Sequence, residues 1–416
     1  MKAVVFTLGC KVNDCESASL LRGLEERGYE VSDELGPADL FILNTCAVTG
    51  EAEKKSRQAI ARIRAVAPRA RILVCGCAAE RCPQAFSEKE NVFLVTGARQ
   101  KSRILALLDE QGVRLDEEDG AYDELLTPRN FKARAFVKIQ DGCNNFCSYC
   151  IIPYLRGRSR SRSLESAAAE ILSCGAEEAV ITGIDISSYS DKGRDLSDLL
   201  LAVRDAPCRI RLGSLEAGVI GERLLGAAKQ VRDFAPHFHL SLQSGSDAVL
   251  RAMNRHYTRE QFLACVGLVR SYFPDAAITT DIIAGFPGET EEDFEATLDL
   301  ARRAAFSQIH CFNYSRRTGT VAAKKKDLPA QVKKERLHRL LALAKQLREE
   351  YEGRFIGKAL ELVPEERKDG YTVGYSENYI RLYAKEDLRR RTRVLALERH
   401  ADGLLVRPAD EETKSR

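Results

Sequence analysis

Asp141-Gly142-Cys143-Asn144-Asn145-Phe146-Cys147-Ser148-Tyr149-Cys150 is the stretch whose reading decides the fold. Its cysteines are separated by three and then two residues, and it follows Ala135-Phe136-Val137-Lys138-Ile139, an alternating run that predicts a β-strand. Structural zinc usually takes four ligands, commonly as two CxxC pairs, so three thiolates packed into eight residues suit a metal group that keeps an open position. A 4Fe-4S cluster meets that description, with three irons on cysteine and the fourth free.

A disulfide or a zinc knuckle is the competing reading. Thirteen cysteines in 416 residues are far below the density of a disulfide scaffold. The apolar run Val4-Val5-Phe6 is too short for a signal peptide, so a cytoplasmic protein is expected, in which grouped cysteines serve metals or catalysis. The chain is 44% hydrophobic and 30% charged, which supports well-solvated domains with real cores and excludes global disorder. No apolar run approaches the roughly 18 residues that span a bilayer, so no membrane partner is expected. A net charge of +3 does not diagnose a nucleic-acid partner, but three local clusters stand out: Arg156 to Arg162, Lys324 to Lys326, and Arg389 to Arg393.

Working outward, residues 1–120 alternate strand and helix patterns. Apolar strands are predicted at 2–7, 39–44, 71–75 and 92–95, which makes an α/β domain with a doubly wound parallel sheet. Cys10, Cys46 and Cys77 follow the first three strands at separations of 36 and 31 residues, about one βα unit each. Equivalent strand ends lie along one edge of a parallel sheet, so the three would meet there and hold a second cluster. Buried cysteine is the bland alternative for each, and Cys75, two residues before Cys77, competes for the third place. Cys15 and Cys82 are read as spare thiols, and Cys174, Cys208, Cys265 and Cys311 as buried.

From Ala133 onward, strands at 135–139, 179–183, 210–212, 239–242, 277–283 and 308–312, with helical patterns between them, predict a partial (β/α)6 barrel over 130–328. Its functional residues belong at the C-terminal ends of the strands, where Gly183, Asp185, Glu216, Gln243, Ser244 and Gly285 join the cysteines. A linker helix is predicted over 329–352, opened by Pro329 and ended by Gly353. Five short strands in 353–416 predict a small OB-like β-barrel, with Tyr379, Arg381 and Tyr383 interleaved as suits RNA. Arg156, Arg158 and Arg160 at the rim of the first barrel, and Arg389, Arg390, Arg391 and Arg393 on the second, are candidate RNA contacts; a solvated charged face is the alternative.

The Cys143, Cys147, Cys150 spacing after the first strand of a partial barrel, with Tyr149 before the last cysteine, resembles the cluster loop of the radical S-adenosylmethionine (SAM) superfamily. The upstream trio narrows the resemblance to its methylthiotransferases, built from a cluster domain, a radical SAM barrel and a C-terminal TRAM barrel. The likeness covers essentially the whole chain. Leu8-Gly9-Cys10-Lys11-Val12-Asn13 and Asn44-Thr45-Cys46-Ala47-Val48-Thr49 are similar to the branch acting on N6-threonylcarbamoyladenosine in tRNA. The isopentenyladenosine branch usually carries Gln-Met where this chain has Lys11-Val12, and the ribosomal-protein S12 branch Pro-Lys. Ser241 stands where the family usually has proline, and Gly213 replaces a common serine.

The resemblance implies two 4Fe-4S clusters, at Cys143, Cys147, Cys150 and at Cys10, Cys46, Cys77, with the first trio catalytic. It implies S-adenosylmethionine contacts from Tyr149, Gly183, Glu216 and Gln243, with a turn glycine and a solvated carboxylate as the alternatives for Gly183 and Glu216. It further implies a tRNA anticodon stem-loop as substrate and a flavodoxin or ferredoxin as electron donor. A non-catalytic metal-binding RNA-binding protein is the rival of a different class.

Overall fold

A computed structural model describes residues 1–115, 120–127 and 133–409. Strands β1 (Lys2–Thr7), β2 (Glu30–Ser32), β3 (Leu40–Thr45), β4 (Arg71–Gly76), β5 (Val92–Thr96) and β6 (Gly112–Arg114) form one sheet in the order β2-β1-β3-β4-β5-β6. Every neighbouring pair in it is parallel. Alternate strand residues feed two cores, Val4, Phe41 and Val74 on one face with Ile60 and Ile63, and Val5, Ile42 and Leu73 on the other with Leu20 and Leu24. The sheet is therefore doubly wound, as the strand and helix patterns predict. The edge strands β2 and β6 escape sequence reading because Glu30-Val31-Ser32 and Gly112-Val113-Arg114 have no apolar run to register.

The second set comprises β7 (Arg134–Asp141), β8 (Arg160–Ser161), β9 (Glu178–Gly183), β10 (Arg209–Leu212), β11 (Ser214–Leu215), β12 (His237–Leu240), β13 (Ala277–Ala284) and β14 (Gln308–Asn313). It is hydrogen-bonded as two four-stranded sheets, β10-β9-β7-β8 and β11-β12-β13-β14. The expected third barrel strand breaks at Gly213: its first half pairs with β9 and its second with β12, so one segment bridges both sheets. Val137, Ile139, Ile181, Ile210, Phe238, Leu240 and Ile282 pack outward against helices. With a side-chain period of two, the alternate residues line the interior, and many are polar: Lys138, Gln140, Arg211, His237, His239 and Asp281.

Helix Ala330–Gly353, with Pro329 at its N-cap, ties this body to the last one. Leu340, Leu343 and Leu347 join the barrel core, while Tyr351 joins the C-terminal core. Strands β15 (Ala359–Lys368), β16 (Tyr371–Tyr375), β17 (Arg381–Ala384), β18 (Thr392–His400) and β19 (Gly403–Pro408) close a barrel in the order β15-β16-β17-β19-β18. The boundary expected at 130, and residues 410–416 of the last span, lie outside the described residues. No helix among the described residues is long and apolar enough to cross a membrane.

The loop between β16 and β17 closes the floor of the larger barrel. Tyr379 stacks on His237 at 4.4 Å and on Tyr375 at 4.6 Å, with the Arg211 guanidinium 5.2 Å from its ring centroid. The place expected for Tyr379, an RNA-stacking surface, is thus corrected: its ring is engaged by His237 at the barrel floor. Arg211 grips Glu178 through two hydrogen bonds of 2.7 Å and donates to the Ser376 carbonyl at 3.0 Å. Burial pushes the Glu178 carboxyl up, but the Arg211 charge and hydrogen bonds outweigh it and hold the group below its ordinary 4.5. A depressed carboxyl contributes stability that is full above its unfolded pKa and lost as pH falls through the folded one. Wild-type protein should therefore lose stability in acid below about pH 4.5 more steeply than Glu178→Gln, measured as unfolding midpoints from pH 7 to 3; parallel curves would refute this.

Candidate metal centre

The Cys143 loop leaves β7 through a backbone crossing that excludes any side chain. Gly142 has φ 71°, and a Cβ there would sit 1.9 Å from the Arg158 carbonyl oxygen. Cys143 N donates to Gly157 O at 3.1 Å, Ser148 N to Met253 O at 2.9 Å, and Ala322 N to Ser148 O at 2.8 Å, so the loop is fixed on three sides. Burial pushes the Cys143 thiol up to about 11 and that of Cys150 to about 12, and neighbouring cysteines of the trio add to both. Three thiols gathered in one loop are a donor set that a cationic metal group satisfies.

The strand ends surround this loop. Asn145 Nδ2 donates to Asp185 Oδ2 and to Glu216 Oε1, both at 3.1 Å, and Cys143 Sγ lies 3.9 Å from Asp185 Oδ2. Arg255 pairs with Glu216 Oε1 at 2.8 Å and donates to Cys147 Sγ at 3.4 Å and Ser241 O at 3.2 Å. Sequence reasoning missed Arg255, whose only signal is a charged residue between two apolar helical patterns. At Gly183 a Cβ would stand 2.9 Å from Gln140 O, so the chain passes too close for a side chain. Gln243 adopts φ 68° and bonds Asp281 O through its backbone N at 2.8 Å, leaving its side chain without a protein partner among the described residues. Tyr149 packs beside Met253, Phe286 and Tyr314.

Cys10, Cys46 and Cys77 stand just beyond β1, β3 and β4, which are consecutive neighbours in the sheet. Gly9, at φ 122°, lets the first loop approach the second: a Cβ there would be 2.8 Å from Cys46 Cβ. Burial pushes Cys46 up to about 11, with Cys77 and Cys10 adding to it, so the three thiols share one electrostatic site. Cys75 faces the opposite core and is fully buried, with Sγ 3.7 Å from Asn44 Oδ1. The Cys15 thiol donates to Phe136 O, and Cys82 is exposed. Each trio offers three thiols, the donor set that suits a 4Fe-4S cluster with one open iron.

A buried charge group links Cys77 to the start of the Cys143 loop. Arg156, with no exposed surface, donates to Cys77 Sγ at 3.3 Å, Glu16 Oε1 at 2.7 Å, Asn13 Oδ1 at 2.9 Å and Asp141 Oδ1 at 3.1 Å. Lys138 Nζ lies 3.1 Å from Glu16 and 2.6 Å from Asp141, so two cations meet two carboxylates. Burial works against the Glu16 carboxylate, but Arg156 and Lys138 outweigh it and hold the group down to about 2. The expectation that Arg156 touches RNA is corrected: its guanidinium is enclosed between Asp141, at the start of one cluster loop, and Cys77 of the other.

The remaining arginines divide. Arg158 is exposed and lies 4.6 Å from the Phe146 ring centroid; Phe146 in turn meets half-exposed Tyr154 edge-on at 5.7 Å. Arg160 donates to the Arg156 and Arg158 carbonyls. On the small barrel Arg389 pairs with Asp387 at 3.2 Å, while Arg391 turns inward to Asp233 and Glu361 and ties the two barrels together. Arg390 and Arg393 are exposed.

Comparison with known proteins shows the family. Residues 137–301 match the radical SAM superfamily, and residues 2–97 match the uncharacterized protein family UPF0004. The chain is 38% identical to the threonylcarbamoyladenosine tRNA methylthiotransferase MtaB of Bacillus subtilis, over 92% of this chain and 91% of that one. The chain belongs to the radical SAM methylthiotransferases. MtaB of Thermotoga maritima is likewise 38% identical, with the same coverage, and a tRNA-2-methylthio-N(6)-dimethylallyladenosine synthase of Alkaliphilus oremlandii is 36% identical over 88% of this chain and 82% of its own. Among solved structures, the radical S-adenosylmethionine methyltransferase TsrM of Kitasatospora setae, with cobalamin and a [4Fe-4S] cluster bound, superposes with a TM-score of 0.57 at 16% identity. It covers 78% of this chain and 77% of that one, a likeness of fold. S-adenosylmethionine and 4Fe-4S clusters are the cofactors of this methylthiotransferase family.

Proposed function

We propose that this methylthiotransferase installs a 2-methylthio group on N6-threonylcarbamoyladenosine beside the tRNA anticodon. The observation that carries the reading is the pair of cysteine trios at strand ends, with Arg156 running from Cys77 of one to Asp141 at the start of the other's loop, in a chain whose relatives at 38% identity act on that nucleoside by name. Cys143, Cys147 and Cys150 would hold the cluster that binds S-adenosylmethionine, and Cys10, Cys46 and Cys77 the cluster that carries sulfur. Together these groups supply a primary carbon radical, able to break an adenine C2–H bond that acid–base groups cannot, and a sulfur to take its place.

The protein's part is positioning. Arg255 orients the Cys147 thiol while Glu216 fixes its guanidinium, and Asn145 holds Glu216 and Asp185 against the loop. Gly183, Glu216, Gln243 and Tyr149 are assigned to S-adenosylmethionine, Gln243 through its free amide. Arg158, Arg160, Arg389, Arg390 and Arg393 are assigned to the phosphates of the anticodon stem-loop, with the Phe146–Tyr154 pair as a stacking platform. A cytoplasmic flavodoxin or ferredoxin would deliver the electron, and the division at 1–120, 130–328, 329–352 and 353–416 is kept as the domain plan.

Nucleoside mass spectrometry of tRNA from a deletion strain tests the substrate. The 2-methylthio derivative of N6-threonylcarbamoyladenosine should vanish and return on complementation. Its persistence, with loss of the methylthiolated dimethylallyl nucleoside or of modified ribosomal protein S12, would transfer the chain to another branch.

A further inference from the structure

Inside the larger barrel, below the rim that carries Gln243, the side chains of His239, Asp281 and His310 converge, with ligating atoms within 4.8 Å of one another. They project from β12, β13 and β14 on the interior face, Asp281 standing opposite His310 in the strand register. His239 is two residues before Ser241, whose carbonyl is held by the same Arg255 that reaches Cys147. At the rise of a β-strand the group therefore sits about 7 Å below that carbonyl, within the length of a nucleobase substituent. His239 Nδ1 meets Thr279 Oγ1 at 3.0 Å; its Nε2 is 3.3 Å from Asp281 Oδ2, yet buried without an aligned hydrogen bond.

Helix Lys11–Glu25 packs against β7 and β9 on the same barrel. Lys11, its first residue, holds Nζ 6.0 Å from the ring centroid of interior-facing Phe136. It makes no ion pair or hydrogen bond among the described residues, and its charge reaches His237 and His310. An ammonium at this position disfavours a dication among the trio and favours an anion flanked by hydrogen-bonding groups.

The two nucleosides named for the relatives differ here. A threonylcarbamoyl substituent ends in a carboxylate and a hydroxyl; a dimethylallyl substituent has neither. We infer that Lys11 and His310 receive the threonylcarbamoyl carboxylate, that Asp281, steadied by His239, accepts its hydroxyl, and that this pocket selects the charged nucleoside over the apolar one. The inference rests on the substrate proposed above and adds the residues that choose it.

The test uses reconstituted holoenzyme and anticodon stem-loops bearing N6-threonylcarbamoyladenosine, its methyl ester, or N6-dimethylallyladenosine, with methylthiolated product, 5′-deoxyadenosine and iron content measured separately. Masking the carboxylate should lower wild-type kcat/KM about 10- to 100-fold, chiefly through KM. Lys11→Gln should lose a similar factor on the acid and no longer distinguish acid from ester, and His310→Gln should do the same if Lys11→Gln fails to load iron. Iron-replete variants that keep the full preference for the acid would overturn the inference. So would stoichiometric zinc or iron(II) held in purified wild-type protein and lost in His310→Gln. A wild-type enzyme that modifies only the dimethylallyl stem-loop would instead sink the substrate proposal.

Discussion

Cys147→Ala should purify with about four irons where the wild type carries about eight, and its reductive cleavage of S-adenosylmethionine should fall at least about a thousandfold. Cys77→Ala should lose the same amount of iron but keep that cleavage while forming no methylthiolated nucleoside. The asymmetry follows from placement. Cys147 is held by Arg255 at the mouth of the barrel, whereas Cys77 belongs to the sheet domain and touches the barrel through Arg156. Anaerobic iron assay and chromatography of 5′-deoxyadenosine distinguish the two. Tightly bound zinc in the wild type, with no cleavage on reduction, would favour the non-catalytic alternative.

Arg156→Ala should cost about 3–5 kcal/mol, because it leaves Glu16 and Asp141 with a single buried cation, Lys138, between them. Arg156→Lys restores the charge but not the fork that reaches Glu16, Asn13 and Cys77 together, so only part of the loss should return. Urea unfolding of the apoprotein reads both values free of any contribution from metal binding. A cost for Arg156→Ala below about 1 kcal/mol would mean that the four charges are solvated and the bridge does not hold.

Both cysteine trios were legible in the sequence, for different reasons. Cys143, Cys147 and Cys150 are local, so their grouping after the first barrel strand is readable from spacing alone. Cys10, Cys46 and Cys77 are distant in sequence but recur at the ends of apolar strands, so periodicity locates them, and the structure separates Cys77 from Cys75 by the face each presents. Arg156 was illegible because its partners Glu16, Asn13 and Asp141 are scattered along the chain, and Arg156-Gly157-Arg158-Ser159-Arg160 reads as a uniform basic run until burial divides it. Arg391 was hidden likewise: Asp233, which it meets, belongs to the other barrel. Tyr379 shows the same limit, since an aromatic residue in a β-barrel loop has one appearance in sequence whether it stacks on a base or on His237.

The Arg156 bridge also constrains how this architecture can be recombined. Asn13 and Glu16 are encoded with the sheet domain, Lys138, Asp141 and Arg156 with the barrel, and a hybrid gene joined between them inherits each half from a different parent. Such a chimera would fold around complementary charges only if both parents carry the same set. The junction between the sheet domain and the barrel is thus a lock to which each half must bring a matching key, cut in this chain by those five side chains.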